Sequence, residues 1–340
     1  MSVTSLQTDL TQQLDPVLVE QALALIEPSQ RIALLAHERP DGDCLGSALG
    51  MAHMLRLAGK HCVPVCSDVP SKDWNFMPGI ETLQTTLGDE NFDLVIALDA
   101  GELSRYGAVA EQHSTFLAHV PILNIDHHIS SHGCGLVNII EPGAAATAEI
   151  LVLFQQQARL PLNTDAAQCL LTGLITDTAS FQYPSTSSRT MEAGALLLRA
   201  GAVAETIVKP IFRTLPLAKA RFQAIVIKSA RTVSDGRVIW SYATDETLVQ
   251  AGADTNVDDN CASMLRDIEG VKIAAFFKNY GDATQTRLSL RSEDPYDVAA
   301  ICMRHGGGGH PRAAGATLPM PLEEAMAVIV QELEAEMNRE

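Results

Sequence analysis

The stretch ILNIDHHIS, Ile122 to Ser130, is an apolar run that ends in an aspartate and two adjacent histidines. A short continuous apolar run of this kind reads as a strand buried on both faces. Polar groups at the end of such a strand are costly unless something there uses them. Other runs repeat the layout. IALLAH (32–37) ends at His37, and the turn behind it, ERPDGDCLGS, carries Asp41 and Asp43. DLVIALDA (93–100) brings Asp99 to its end, while CVPVCS (62–67) and GLVNII (135–140) are further apolar runs. Helix-like segments lie between several of them, such as Leu45 to Ala58 and Leu103 to His119. Apolar strands alternating with helices predict an α/β architecture, a parallel sheet with helices on both faces.

At 340 residues the chain exceeds one typical core, so two domains are expected. Leu10, Leu14, Val17, Leu18, Leu25 and Ile26 fall at helical spacing and predict an N-terminal helix ending near Glu27. From Ala144 to about Ala200 the pattern is helical. LAKARFQAIVIKSARTV reads as a connecting helix, which places a first domain at 1–212, a linker helix at 213–234 and a second domain at 235–340. In the second, RVIWSYA, VKIAAFFKN and TRLSLRS read as strands, with DVAAICMRH and Leu322 to Met337 as helices, a smaller mixed α/β unit.

The net charge of −17 excludes the basic face that long duplex DNA or RNA demands. No apolar run is long enough to span a membrane, and MSVTSLQTDLTQQ lacks the layout of a signal peptide. Seven scattered cysteines without a C-x-x-C pair fit reduced thiols in a cytoplasmic protein. Phosphates bound by such a chain belong to small molecules or short oligomers.

In open parallel sheets the strand C-termini line one rim, where ligands bind. His37, Asp41, Asp43, Asp99, Asp126, His127 and His128 are expected there, and Asp177, closing the helix GLITDTASF, is placed on a facing wall. Taken singly, each is as well read as a cap or a turn residue. Together they crowd carboxylates that cannot all ionise comfortably, a conflict that divalent cations resolve. Imidazole plus carboxylate suits manganese, iron, zinc or cobalt, and four aspartates with two histidines suffice for two ions sharing one bridging carboxylate. A second distinctive stretch is RHGGGGHPRAAGA (304–316). Its glycines, Gly308 and Gly309 among them, are expected to offer backbone N–H groups to an anion, with His310, Arg312 and Arg291 adding charge or hydrogen bonds. Arg105, six residues past Asp99, reads equally as a phosphate contact or a surface ion pair. DTNVDDN (254–260) reads as a solvated loop.

HERPDGDCLGS, LDAGELSR, IDHHIS and GLITDT resemble, in order and spacing, the four motifs of the DHH phosphoesterases, and GGGGHPRAAG is similar to the signature of the DHHA1 domain. The resemblance spans about Arg31 to Leu318 and is nearest to the bacterial nanoRNase/pAp phosphatases. It implies a DHH domain and a DHHA1 substrate-binding domain with an active-site cleft between them, and two divalent ions, Mn²⁺ foremost. By motif, His37 and Asp41 would bind one ion and Asp43 the other, with Asp99 bridging, and His127 and Asp177 completing the second site. Asp126 would orient His127 and His128 would face the substrate phosphate, so His128, Asp126 and Asp99 form the catalytic set. His310, Gly308, Gly309 and Arg291 would hold the nucleotide end, with Arg312 and Arg105 as further contacts. The implied substrates are short oligoribonucleotides and pAp, with cyclic-di-AMP or pApA cleavage, or nucleotide sensing without turnover, as alternatives. A homodimer is compatible with the layout. Where the family usually has an asparagine after the double histidine, this chain has Ser131.

Overall fold

Five of the apolar runs form one parallel sheet in the order β2-β1-β3-β4-β5. The computed structural model describes residues 13–88, 91–255, 257 and 260–337. Leu10 of the expected N-terminal helix, and Asn256, Asp258 and Asp259 of the expected solvated loop, lie outside them. Two compact units emerge, Met1–Thr214 and Leu215–Glu340.

In the first unit the elements run α1 (Pro16–Ile26), β1 (Arg31–Ala36), α2 (Gly42–Leu57), β2 (His61–Cys66), β3 (Leu94–Leu98), α3 (Gly107–Gln112), α4 (Ser114–Leu117), β4 (Ile122–Asp126), β5 (Val137–Ile140), α5 (Thr147–Ala158), α6 (Thr164–Asp177), α7 (Ser188–Arg199) and α8 (Ala204–Val208). Alternation is hidden in these strands because both faces are covered. Ile32, Leu34, Leu94, Ile96 and Leu98 join a core with α1, α2, α5 and α6, whereas Ala33, Leu35, Val95 and Ala97 pack with Tyr106, Val109 and Leu117 on the other face. The expected helix over 103–119 is broken into a 3₁₀ turn (Leu103–Tyr106), α3 and α4.

Helices α2 and α6 cross closely because their contact is built from glycines. A Cβ on Gly46 would meet the Cys169 carbonyl oxygen at 2.4 Å, and one on Gly173 would meet Asp43 Oδ1 at 2.5 Å. This crossing brings the start of α2 beside α6 and so places Asp43 close to the residues that end at Asp177.

The second unit contains α9 (Leu217–Ser229), β6 (Arg231–Val233), β7 (Val238–Thr244), α10 (Asp245–Ala251), α11 (Cys261–Arg266), β8 (Ile273–Asn279), β9 (Thr286–Ser292), α12 (Val298–Arg304), β10 (Gly308–His310), β11 (Ala313–Leu318) and α13 (Leu322–Met337). Its sheet, in the order β10-β11-β9-β8-β7-β6, is antiparallel except for β7 with β8. Helix α9 overlaps the segment expected as a linker, 213–234. Its Phe222 and Val226 pack with Ile239, Ala274 and Phe276, so it belongs to the core of the second unit and the chain divides before it. The glycine-rich stretch, expected as an anion-cradling loop, runs into a β-hairpin: β10 pairs with β11 in the register Gly308↔Gly315 and His310↔Ala313.

Candidate metal centre

Strands β1, β3 and β4 deliver His37, Asp99, Asp126, His127 and His128 to one edge of the parallel sheet. The strand order reverses between β1 and β3, and a crevice for ligands opens at such a reversal. His37 and Asp99 stand on its two sides.

His37 Nε2 lies 3.7 Å from Asp41 Oδ2 and 3.5 Å from Asp99 Oδ2, while its Nδ1 is 2.8 Å from the Glu38 carbonyl oxygen. That contact leaves Nε2 as the nitrogen facing the site. Burial alone would lower the His37 pKa, but the hydrogen bonds with Asp41 and Asp99 raise it, so positive charge is favoured at this point. Asp41 caps α2, its Oδ1 accepting from the Asp43 and Cys44 amides at 3.0 Å each. Burial opposes its ionisation, yet His37 and those amides hold its pKa below the usual range.

Asp99 sits at φ 61°, a left-handed conformation that aspartate tolerates better than most residues. Its two oxygens face different imidazoles: Oδ2 looks to His37, and Oδ1 lies 3.6 Å from His127 Nε2. That is the disposition of a bridging ligand. Burial first, and then the charge of Asp43, raise its pKa well above the carboxylate range. His127 Nε2 also lies 3.3 Å from Asp177 Oδ2. Asp177 closes α6, where the helix dipole disfavours an anion. Burial, with Asp43 and Asp41 nearby, pushes its pKa up to about 8. Asp43 is fully buried, and burial likewise raises it.

Ligand atoms of Asp43, His127 and Asp177 lie within 4.8 Å of one another, as do those of Asp99, His127 and His128, and those of His37, Asp41 and Cys44. Raised carboxylate pKa values in a cluster of imidazole nitrogens are what a divalent cation reverses, so the donor set fits metal ions. Cys44 is the weak member: burial pushes its thiol up to about 12, keeping it protonated.

Asp126 departs from its expected role. Its Oδ1 lies 2.7 Å from Nδ1 of His128, not of His127, whose Nδ1 instead lies 3.3 Å from the Ala144 carbonyl oxygen. His128 is exposed, and the hydrogen bond with Asp126 raises its pKa. Asp126 stays below the usual range because His128 outweighs the effect of burial. Ser131 packs beneath Gly101, where a Cβ would meet its Oγ at 2.0 Å.

Three residues of this region went unread in the sequence: Thr147, Glu149 and Arg189. Helix α5 has no side-chain cap of its own. Its first amides reach Asp43 instead, Thr147 N donating to Oδ2 at 2.6 Å and Ala148 N to Oδ1 at 3.0 Å, and the Thr147 hydroxyl donates to Asp99 Oδ1 at 2.7 Å. Glu149, with no exposed surface, accepts from Arg189 Nε at 2.5 Å, Thr190 Oγ1 at 2.8 Å and Ala145 N at 3.1 Å. The sequence signal was a helix start, AAATAE, without a capping residue before it.

Among the remaining candidates, Arg105 is exposed on the turn after β3, its carbonyl accepting from Glu38 N at 2.8 Å. In the second unit, Arg291 and His310 share one row across the sheet, both paired to Ala313. Arg312 does not join them: it is paired with Asp294 and donates to the Tyr296 carbonyl at 2.5 Å. The amides of Gly306 and Gly307 donate to Met303 and Cys302 carbonyls and finish α12, so they are not free for an anion.

Carboxylates and imidazoles gathered at the switch point of a parallel sheet are the donor set of a metallohydrolase. Residues 31–174 match the DHH family, N-terminal domain, and residues 235–339 match the DHHA1 domain. The chain belongs to the DHH family of phosphoesterases, hydrolases that act on phosphoester bonds with divalent metals. It is 28% identical to the bifunctional oligoribonuclease and PAP phosphatase NrnA of Thermus thermophilus, over 95% of this chain and 94% of that protein. It is 26% identical to the cyclic-di-AMP phosphodiesterase PdeA of Listeria monocytogenes, over 93% of this chain but 49% of that protein. An exopolyphosphatase-related protein from Bacteroides fragilis shares the fold with a TM-score of 0.84 at 23% identity, over 96% of this chain and 98% of that one. No helix among the described residues is long and apolar enough to cross a membrane.

Proposed function

We propose that the chain hydrolyses short oligoribonucleotides and 3′,5′-bisphosphonucleotides such as pAp, in the cytoplasm, with two Mn²⁺ ions. The observation that carries this reading is the double facing of Asp99, one oxygen toward His37 and the other toward His127. His37, Asp41 and Asp99 would hold one ion, and Asp43, Asp99, His127 and Asp177 the other. When bound, the pair supplies positive charge for phosphate oxygens and a water ionised near neutral pH. The chain's own groups do the rest. His128, exposed and with its pKa raised by the hydrogen bond with Asp126, donates to a phosphate oxygen, and Thr147 holds Asp99 in its orientation toward both imidazoles. In the second unit, Arg291 and His310 bind a phosphate from one sheet face. The names of the NrnA relatives, matched along nearly their full length, support this substrate class over cyclic dinucleotides.

The test is a product-resolved assay with Mn²⁺ that offers pAp, a short RNA, pApA and cyclic-di-AMP side by side, with EDTA and Asp99→Ala as controls. Turnover of pAp and short RNA, lost in both controls, is the expected result. Turnover confined to cyclic-di-AMP or pApA overturns the substrate assignment. Binding of Mn²⁺ and nucleotide without any turnover makes the chain a sensor.

A further inference from the structure

Lys278 and Arg287 face each other directly across β8 and β9. Residues directly opposite one another share a sheet face, so both side chains are offered to the same ligand, and the Lys278 Nζ also lies 5.9 Å from the centroid of the Tyr280 ring. The pair lies on a cavity of about 500 Å³ whose lining includes Ser289, Thr317, Gly306 and Gly307. The glycines wall it without side chains, and Arg287 is exposed into solvent. Along β9, Arg287, Ser289 and Arg291 alternate onto one face. Arg287 pairs with Thr317 of β11, Ser289 with Gly315, and Arg291 with Ala313, which in turn pairs with His310. The face therefore carries two rows of phosphate-binding side chains, Lys278 with Arg287 and Arg291 with His310. Four residues of strand, roughly 14 Å, separate the rows, too far for one phosphate to touch both.

We infer that the Lys278–Arg287 cavity is a second phosphate subsite, which takes an internal phosphate of a short single-stranded oligonucleotide while Arg291 and His310 take another. The inference rests on the nucleotide reading above and makes it specific: the second unit holds oligonucleotides of at least about three residues at two points. Lys278 and Arg287 give an anion two donors on one face, and the open glycine wall lets the sugar-phosphate backbone pass along β11.

The test compares full-length wild type with Lys278→Ala/Arg287→Ala and with Arg287→Lys, in EDTA to prevent turnover. Binding of mono-, di- and trinucleotide RNA is followed by fluorescence anisotropy across a salt series. The double variant is expected to bind the trinucleotide about tenfold more weakly, with a smaller loss for shorter ligands. Its log Kd against log salt should be shallower by about 0.7 for each phosphate that the variant no longer neutralises. Arg287→Lys, which keeps the charge, should retain the salt slope. An equal loss at every length with an unchanged slope, or no loss at all, overturns the inference. Turnover of pAp by the wild type, run in parallel with Mn²⁺, separates the two ideas: if it is present and the variant binds trinucleotide normally, only the subsite fails. If wild type neither binds nor cleaves any nucleotide, the functional reading falls and the subsite with it.

Discussion

Replacing Glu149 by leucine should unseat the first turn of α5 and, through it, the metal centre. The carboxylate is wholly buried and receives three donors, from Arg189, Thr190 and Ala145, while Arg189 is itself only 8% exposed. Deleting one partner of a buried ion pair leaves the other charged and poorly solvated, which costs about 3–5 kcal/mol. For a unit the size of Met1–Thr214, that corresponds to a fall in Tm of roughly 6–20 °C. Arg189→Met should cost a similar amount. The double variant, with both charges gone and apolar side chains in their place, should lose much less than the sum, a coupling of about 2–3 kcal/mol. The chain contains two tryptophans, Trp74 in the first unit and Trp240 in the second. In a Trp240→Phe background, indole fluorescence during urea unfolding therefore reports the first unit alone. A single-variant cost below about 1 kcal/mol, or strictly additive losses, would refute the claim that this pair anchors α5.

Thr147→Val should leave the fold intact but remove the hydroxyl from Asp99 Oδ1, lowering Mn²⁺ affinity by about 10–100-fold, with Thr147→Ser close to wild type. Calorimetric titration with Mn²⁺ reads this directly, and unaltered affinity would show that Thr147 does not position the ligand. Asp99→Asn should raise the Tm of EDTA-treated protein, because burial and Asp43 make that carboxylate unfavourable, and should abolish the Tm gain that Mn²⁺ gives the wild type. A lower Tm in EDTA, or a surviving Mn²⁺ response, would contradict it. Glu332 offers a pH test in the second unit. Burial works against its ionisation, but Arg304 and His305 hold its pKa below the ordinary 4.5. The folded form then binds protons less readily than the unfolded one, so the contribution is complete above that value and disappears as pH falls through the depressed one. Glu332→Gln should cost about 0.5–1 kcal/mol at pH 7, a modest figure because Arg304 is partly solvated, and progressively less as pH falls below 4.5, as measured by Trp240 fluorescence in urea. A cost that persists at low pH would point to packing instead.

The sequence by itself determined the parallel sheet and the places where its strands end. Runs such as IALLAH and ILNID are apolar without alternation because both faces are covered, and that property is local to the run. The ionisable residues at the ends of those runs were legible for the same reason: a polar group closing a core strand stands out against its own neighbours. The family resemblance carried in the same motifs agrees with the matched DHH and DHHA1 regions.

Pairing was decided only by the tertiary structure. Asp126 turns to His128, not to His127, whose Nδ1 faces the Ala144 carbonyl oxygen instead, and that choice is not written in the letters DHH. Thr147 meets Asp43 across 104 positions, and Glu149 meets Arg189 across 40. Helix α9 reads as a connector until Phe222 and Val226 are seen inside the second core. Arg312, next to the glycine run in sequence, is taken up by Asp294, whereas Arg291, nineteen positions from His310, shares its row through Ala313. Hydrophobic period and strand ends are properties of a few consecutive residues. Hydrogen-bond partners depend on which segments the packed sheets and helices bring together, and no short window of sequence contains both halves of such a pair.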